Sequence, residues 1–430
     1  MAVVLTGGRT LLALVTQKLI TLWLGPAGLA QMGQFQTVWV LFQSLAIGGG
    51  RDGLVKLTAE QETTGVNHSV RMPLAAFSAF TLIAGALLSV IFFILSPQII
   101  DYLELPSVWL PALRISALLI FFSGPSSCLQ SYFMGRAKWR SLAGVQAITA
   151  LSPLLVLGAL YLGPLSLDSL SPLVFSLPPL ITIMCLSVFN SYRSFRFFFT
   201  QLIDLSVLKK FWPAYRRLAV MALPGIAISP ISLVLVRQIL AAEAGWEITG
   251  LYQALLRMFD YPILLFTSFL SLYYLPALGR NTGGRNTAWK HYTWRAFGIL
   301  CLLTLLMAII GPVQRPLIAT LYTREVVVPD FWYYCFVLNT FLKLWVWLLC
   351  MQLLITEAWK AYWIVELVSA FLWISLSAYF VPAMGVNGIL LASLTELIAS
   401  LVILYLVLPG IKRKMIAGKH TDVNAAKKMV

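Results

Sequence analysis

The chain has 430 residues, of which 60% are hydrophobic and only 11% are charged. A soluble domain of this size would leave too much apolar surface uncovered, because soluble domains are about 45–50% apolar and about 25% charged. The formal net charge of +15 fits basic cytoplasmic loops beside anionic lipid better than a nucleic acid partner. Three His and five Cys lack metal-ligand spacing, so neither a metal nor a cofactor is expected.

Repeated apolar runs of about 18–25 residues predict helices that span the membrane, since that length crosses roughly 30 Å of hydrocarbon. The expected fold class is therefore an all-α membrane protein, without the strand alternation of a barrel. Twelve transmembrane helices are predicted near residues 3–24, 33–54, 73–95, 108–133, 141–162, 171–192, 217–242, 248–276, 293–312, 330–354, 361–381 and 386–408.

The distribution of Lys and Arg predicts the orientation of these helices. Connections after even-numbered helices and the C-terminal tail hold nearly all loop Lys and Arg, whereas connections after odd-numbered helices hold only Arg315 and Arg324. Because cytoplasmic loops are the basic ones, both termini are expected in the cytoplasm. The chain is thus expected to be a multi-pass inner-membrane protein.

The two halves of the chain look like a diverged repeat. Residues 28–31 (Gly-Leu-Ala-Gln) recur as residues 250–253 (Gly-Leu-Tyr-Gln), a shift of 222, and the same shift relates Lys138 to Lys360. Six helices per half make the repeat parallel, a class that binds substrate between halves and alternates by rocking. The expected domains are an N-terminal six-helix bundle (1–200), a C-terminal six-helix bundle (201–410) and a basic cytoplasmic tail (411–430), which we expect to be disordered.

Seven basic residues remain inside predicted helices once the loops are subtracted. Arg9 and Arg114 lie near helix ends, where long side chains reach the interface. A charge at the bilayer centre costs about 2.5–3.5 kcal/mol and usually faces a cavity or a partner. The other five predict an electropositive central cavity that binds phosphate or pyrophosphate; they are Lys18, Arg237, Lys343, Arg51 and Arg257.

Internal ion pairing is the competing interpretation of these charges. Asp52, Asp260, Glu366 and Glu396 also lie in predicted helices. Arg257 and Asp260 are three residues apart on one helix face, the spacing of a neutralising pair. Asp260 and Glu366 are predicted either to be charge partners of this kind or to exchange protons and so couple transport to an ion gradient.

Several segments resemble the Wzx-type flippases of the multidrug/oligosaccharidyl-lipid/polysaccharide (MOP) exporter superfamily, and most strongly those that move the lipid-linked repeat unit of enterobacterial common antigen. The resemblance covers nearly the whole chain. It is carried by residues 17–29, by residues 240–242 with Trp246, Gly250, Gln253 and Asp260, by residues 274–278, by Leu342-Lys343 with Glu366, and by residues 382–385 with Gly388.

This resemblance implies two six-helix bundles in a V, open alternately to each side of the membrane. It implies flipping of an undecaprenyl-pyrophosphate-linked oligosaccharide, a lipid III or O-antigen repeat unit, from the cytoplasmic to the periplasmic leaflet. A polysaccharide polymerase and a chain-length regulator are expected protein partners. The charged positions of the family coincide with Lys18, Arg237, Asp260, Lys343 and Glu366, while Arg51-Asp52 departs from its usually neutral pattern.

Three other functions are alternatives for a chain of this composition. A cation-coupled multidrug exporter of the same superfamily is the nearest, although an electropositive cavity would repel its often cationic substrates. A membrane polysaccharide polymerase or ligase needs a sizeable periplasmic loop, whereas outward loops such as residues 96–107 and 313–329 are short. A structural scaffold leaves the buried charges unexplained.

Overall fold

The computed structural model describes residues 2–48, 54–55, 58, 71–135, 139–162, 170–181, 184, 205–270, 286–322, 328–355 and 358–428. Regular secondary structure in these residues is helical throughout, which confirms the all-α class. The α-helices are α1 (Ala2–Ile47), α2 (Arg71–Tyr102), α3 (Leu110–Gly135), α4 (Trp139–Leu162), α5 (Leu173–Ser176), α6 (Leu205–Phe269), α7 (Asn286–Ile310), α8 (Gln314–Leu321), α9 (Asp330–Ile355), α10 (Trp359–Met384) and α11 (Val386–Lys428).

Eight helical stretches within the described residues are long and apolar enough to cross a membrane. The chain is therefore a multi-pass membrane protein. These stretches are Leu12–Ile47, Met72–Tyr102, Ser107–Met134, Ala219–Thr267, His291–Leu321, Asp330–Leu353, Trp359–Met384 and Val386–Pro409. Twelve helices and the location of both termini stay predictions.

Two of the helices are pairs of arms joined at a glycine. The 65 residues of α6 would extend on the order of 100 Å as a straight helix, far beyond the bilayer. Gly245 interrupts α6 with φ 82° and ψ 164°, and Gly25 interrupts α1 with φ 67° and ψ −175°. Positive φ favours glycine, so each helix is interrupted at a residue that adopts this conformation without strain.

The two kinks give the sequence repeat a structural counterpart. They are 220 residues apart (245 − 25), close to the shift of 222 that relates the Gly-Leu-x-Gln motifs. Each motif begins just after its kink, at Gly28 in α1 and at Gly250 in α6. The second half thus carries two additional residues between kink and motif.

The chain folds into two compact units. The first comprises Met1–Val234 with Leu321–Thr323, and the second comprises Leu235–Thr320 with Arg324–Val430. The predicted domain boundary at residue 200 lies between residues 185 and 204, outside the described residues, and stays a prediction.

In the first unit, α2 packs along α3 through small residues. A side chain at Gly124 would collide with Thr81, and a Cβ at Gly85 would lie 3.3 Å from the Cα of Phe121. Small residues let membrane helices approach closely where no hydrophobic force drives them together. A buried hydrogen bond of 2.8 Å, from Ser116 Oγ to Ser176 Oγ, joins α3 to α5.

In the second unit, α9 lies beside α7, α10 and α11, and α10 packs along α11. The buried hydroxyl of Tyr333 donates to the Met307 carbonyl at 2.7 Å, which joins α9 to α7. Asn339 donates to Ser393 Oγ at 2.6 Å, which joins α9 to α11. Buried polar side chains thus join α9 to both α7 and α11 inside the second unit.

The C-terminal helix continues further than the sequence predicts. α11 extends through the basic tail to Lys428, where we expected disorder. Residues 411–428 contain no proline, and Ala, Lys, Met and Arg are good helix formers that allow the transmembrane helix to propagate.

Candidate functional site

The predicted site residues occupy several helices. Lys18 is half-buried on α1 in the first unit, and Arg51 lies outside the described residues. The other five belong to the second unit and form two groups. Arg237, Arg257 and Asp260 lie on α6, while Lys343 and Glu366 lie on α9 and α10.

Arg237 is the most buried of the predicted cationic residues described by the structure, with 2% of its surface exposed. It lies on the first arm of α6, eight residues before the kink at Gly245. Electrostatic interactions connect it to Arg257, Tyr252 and Asp260 on the second arm. The kink at Gly245 therefore brings a cation and a carboxylate of the second arm within electrostatic reach of the Arg237 guanidinium.

The register of the kinks distinguishes Arg237 from Lys18. Arg237 precedes Gly245 by eight residues (245 − 237), and the residue eight before Gly25 is Gln17 (25 − 17). One residue turns a helix by about 100°, so Lys18 faces another direction on its arm. Gln17 itself accepts a hydrogen bond of 3.3 Å from the Tyr322 hydroxyl within the first unit.

Arg257 and Asp260 form an ion pair on the second arm. Arg257 Nη1 lies 3.5 Å from Asp260 Oδ2, and their side chains are 19% and 49% exposed. The two residues are three positions apart, as predicted for neighbours on one face. Arg237, Arg257 and Asp260 are called the α6 group below. When all three are ionised, this group carries a net charge of +1 (two cations and one carboxylate).

The second group gathers around Glu396, which is 6% exposed on α11. Ser400 Oγ donates to Glu396 Oε1 at 3.0 Å, and Ser369 of α10 donates to the same oxygen. Lys343 acts electrostatically on both Glu396 and Glu366, and Tyr362 donates a hydrogen bond to Glu366. With one cation and two carboxylates, the ionised group carries a net charge of −1.

The two groups differ in what they can bind. The α6 group combines a buried guanidinium with surplus positive charge, the arrangement that suits an oxyanion such as phosphate. The α9–α11 group, defined as Lys343, Glu366 and Glu396, has surplus negative charge and hydroxyl donors around its most buried carboxylate. It suits a proton or a cation better than an anion.

Sequence reasoning missed two residues of these groups. Glu396 was identified as an intramembrane acid but was not assigned to a site, although Lys343 acts on it. Gln253 entered only through the repeat and the family resemblance and was assigned no site role, yet it is fully buried four residues before Arg257. The spacing of Gln253 and Arg257 on one helix face was visible in the sequence, whereas the approach of α11 to α9 was not.

Known proteins resemble this chain in sequence and in fold. No family model matches the chain. The chain is 24% identical over 286 residues to the lipid III flippase of Escherichia coli K12, and equally to that of Shigella flexneri. The match covers 64% of the chain, and the chain spans about 64% of the length of these curated relatives.

The solved structures decide the fold. An inward-facing multidrug resistance MATE family transporter of the MOP superfamily matches with a TM-score of 0.72 and 14% identity, over 94% of this chain and 96% of that chain. The chain has the MOP transporter fold. An outward-facing transporter of the same description matches with a TM-score of 0.66, 14% identity and coverages of 96% and 93%.

A third MOP-fold structure concerns charge. A MOP superfamily transporter from Pyrococcus furiosus, described by a binding pocket of reverse polarity, has a TM-score of 0.65 and 14% identity, with coverages of 94% and 93%. The resemblance inferred from the sequence is confirmed by the flippase relatives together with this fold. The curated relatives are lipid III flippases, and these solved structures are transporters.

Proposed function

We propose that this MOP-fold protein is a flippase of the bacterial inner membrane. It moves an undecaprenyl-pyrophosphate-linked oligosaccharide, a lipid III or O-antigen repeat unit, from the cytoplasmic to the periplasmic leaflet by alternating access. The similarity to lipid III flippases supports the substrate class. The observation that carries the proposal is the burial of Arg237 within a group of net positive charge.

The physical problem of flipping requires such a group. Pyrophosphate and sugars are too polar to cross hydrocarbon, whereas the polyprenyl chain stays in it. A guanidinium held away from water is costly unless an anion or a polar partner meets it. A pyrophosphate would add negative charge to a group whose two cations exceed its one carboxylate, and its paired oxygens match the planar donors of Arg.

We assign the pyrophosphate contacts in order of their support. Arg237 comes first, and Arg257 follows because its ion pair with Asp260 is half-exposed and therefore easily exchanged for a phosphate. Lys18 and Arg51 are proposed as contacts contributed by the N-terminal half. Lys343 is proposed last, because two carboxylates already act on it.

The acidic residues have separate proposed roles. Asp260 is a charge partner of Arg257, which its geometry supports. Glu366, together with Glu396, is proposed to carry a proton that couples flipping to an ion gradient. One lysine cannot neutralise two carboxylates, so the second carboxylate needs a proton or another cation in a low-dielectric site. A polysaccharide polymerase and a chain-length regulator are the proposed downstream partners.

A cation-coupled multidrug exporter is the second candidate. The observation that favours it is the negative α9–α11 group, which would attract a cationic drug. The positive α6 group opposes it, because the same unit would then repel the drug beside Arg237.

A flipping assay separates the two candidates. The full chain is reconstituted in vesicles with a lipid-linked oligosaccharide, and a membrane-impermeant lectin reports outward transfer. The flippase proposal expects transfer that is lost in Arg237→Ala and retained in Arg315→Ala, whose side chain is exposed and paired with Asp330 at 2.9 Å. Export of a cationic dye without transfer of the lipid would instead support the exporter.

A further inference from the structure

A polar face runs along the second arm of α6. Thr249, Gln253, Arg257 and Asp260 are spaced by four, four and three residues, which places them on one side of the helix. Thr249 and Gln253 are fully buried. Exposure then rises along the face, to 19% for the Arg257 side chain and 49% for that of Asp260. The face therefore has a buried end near the kink and an open end at the ion pair.

Gln253 is the unusual member of this face. Both its amide nitrogen and its amide oxygen are buried and form no hydrogen bond with the residues that the structure describes. The neighbouring Thr249 hydroxyl donates to the Gly245 carbonyl at 2.9 Å, so it does not satisfy the amide. A buried polar group without partners destabilises a fold, and its presence calls for an explanation.

Another buried glutamine forms one hydrogen bond within the fold. Gln34 on α1 is also fully buried and its amide oxygen likewise has no partner among the described residues, but its Nε2 donates to the Val234 carbonyl at 3.2 Å within the first unit. That amide holds two helices together. Gln253 has no such structural bond, which indicates that its hydrogen-bonding capacity serves something other than the fold.

We propose that Gln253 binds a sugar of the lipid-linked substrate, next to the pyrophosphate held by Arg237. This inference rests on the proposed flippase function and adds a sugar contact to its site. Arg237 acts electrostatically on Tyr252, the residue adjacent to Gln253, so the guanidinium and the amide lie in the same part of the unit. The substrate reaches Gln253 from the open end of the face, past Arg257 and Asp260.

The chemistry of the amide favours a sugar over a phosphate. An amide offers donors on its nitrogen and an acceptor on its oxygen, and both are without partners in Gln253. An ionised phosphate only accepts hydrogen bonds and would leave the oxygen unsatisfied. A sugar hydroxyl or acetamido group both donates and accepts, so it satisfies the complete side chain.

Equilibrium binding to the purified full chain tests the proposal with two probes. One is undecaprenyl pyrophosphate bearing a single sugar, and the other is sugar-free undecaprenyl pyrophosphate. Gln253→Met keeps the length of the side chain and removes its polar atoms. We expect about a tenfold weaker affinity for the sugar-bearing lipid and no change for the sugar-free lipid. The Tm of the ligand-free protein should not fall, since no hydrogen bond is lost.

Gln34→Met is the matched control. It should lower Tm, because the bond to Val234 is lost, and leave both affinities unchanged. Unchanged binding of the sugar-bearing lipid by Gln253→Met, equal weakening for both lipids, or a large fall in Tm would each overturn the sugar contact. Arg237→Met judges the pyrophosphate proposal separately. If Arg237→Met weakens both lipids while Gln253→Met weakens neither, only the sugar contact is wrong.

Discussion

The α6 group and the α9–α11 group lie in the same unit but carry net charges of opposite sign. The α6 group has two guanidiniums for one carboxylate, and its least exposed member is a cation, Arg237. The α9–α11 group has one lysine for two carboxylates, and its least exposed member is an anion, Glu396. A count of basic residues in the membrane conceals this division.

The role of a buried charged residue depends on the charges of its neighbours. Lys343 and Arg237 look alike in the sequence, as single cations in apolar helices. The structure gives Lys343 two acidic neighbours, while Arg237 has a second cation beside it. Counted over the named residues, the group around Arg237 has one more cation than carboxylates, whereas the group around Lys343 has one more carboxylate than cations.

The largest expected effect is that of Arg237→Met on flipping. Removal of the buried guanidinium takes the α6 group from +1 to zero and should lower the flipping rate at least tenfold, because truncating a buried charged contact is costly. Expression and Tm should be retained, since an apolar side chain of similar length avoids the desolvation of a charge. Single-turnover flipping in vesicles measures the first effect and thermal unfolding the second. A normal rate at normal expression would remove Arg237 from the site.

Lys343→Met should have an intermediate effect, and on stability more than on substrate binding. It leaves Glu366 and Glu396 without their cation and should destabilise the protein by about 1 kcal/mol, because the lysine is exposed and acts at a distance. The double variant Lys343→Met with Glu396→Gln should recover part of the lost Tm. A double variant less stable than Lys343→Met alone would show that Glu396 needs no cation.

Asp260→Asn should have the smallest effect. The Asp260 side chain is half-exposed, so the change in the free energy of unfolding should be within about 0–1 kcal/mol. The α6 group would rise from +1 to +2, and affinity for a pyrophosphate lipid should stay equal or increase. Binding measured at low and high salt checks this, because a charge effect weakens with ionic strength. A weaker affinity would mean that Asp260 does more than balance Arg257.

The sequence predicts those features that depend on local pattern. Hydropathy identifies the membrane-spanning stretches, and the spacing of Arg257 and Asp260 predicts their ion pair. The kinks at Gly25 and Gly245 fall in the gaps between predicted helices, after residue 24 and after residue 242. Residues that become neighbours through packing were not predictable. Glu396 is 53 positions from Lys343 (396 − 343), and only the assembly of α9, α10 and α11 brings them into one electrostatic environment.

The proposed role of Gln253 was not predictable from the sequence for a different physical reason. The pattern of four-residue steps to Arg257 was visible, but an amide on a membrane helix usually bonds to a neighbouring helix. Only the structure shows that this amide is fully buried and makes no such bond. Unused hydrogen-bonding capacity depends on every neighbour at once and leaves no signature in a single sequence.

Surplus positive charge in the α6 group is proposed to bind the pyrophosphate. Equilibrium binding of sugar-free undecaprenyl pyrophosphate to the purified protein, compared with Arg237→Met and Lys343→Met, tests it most directly. We expect a loss of affinity of at least about tenfold for Arg237→Met and a loss of less than about threefold for Lys343→Met. Equal affinity in the wild-type protein and Arg237→Met, or a larger loss for Lys343→Met, would contradict it.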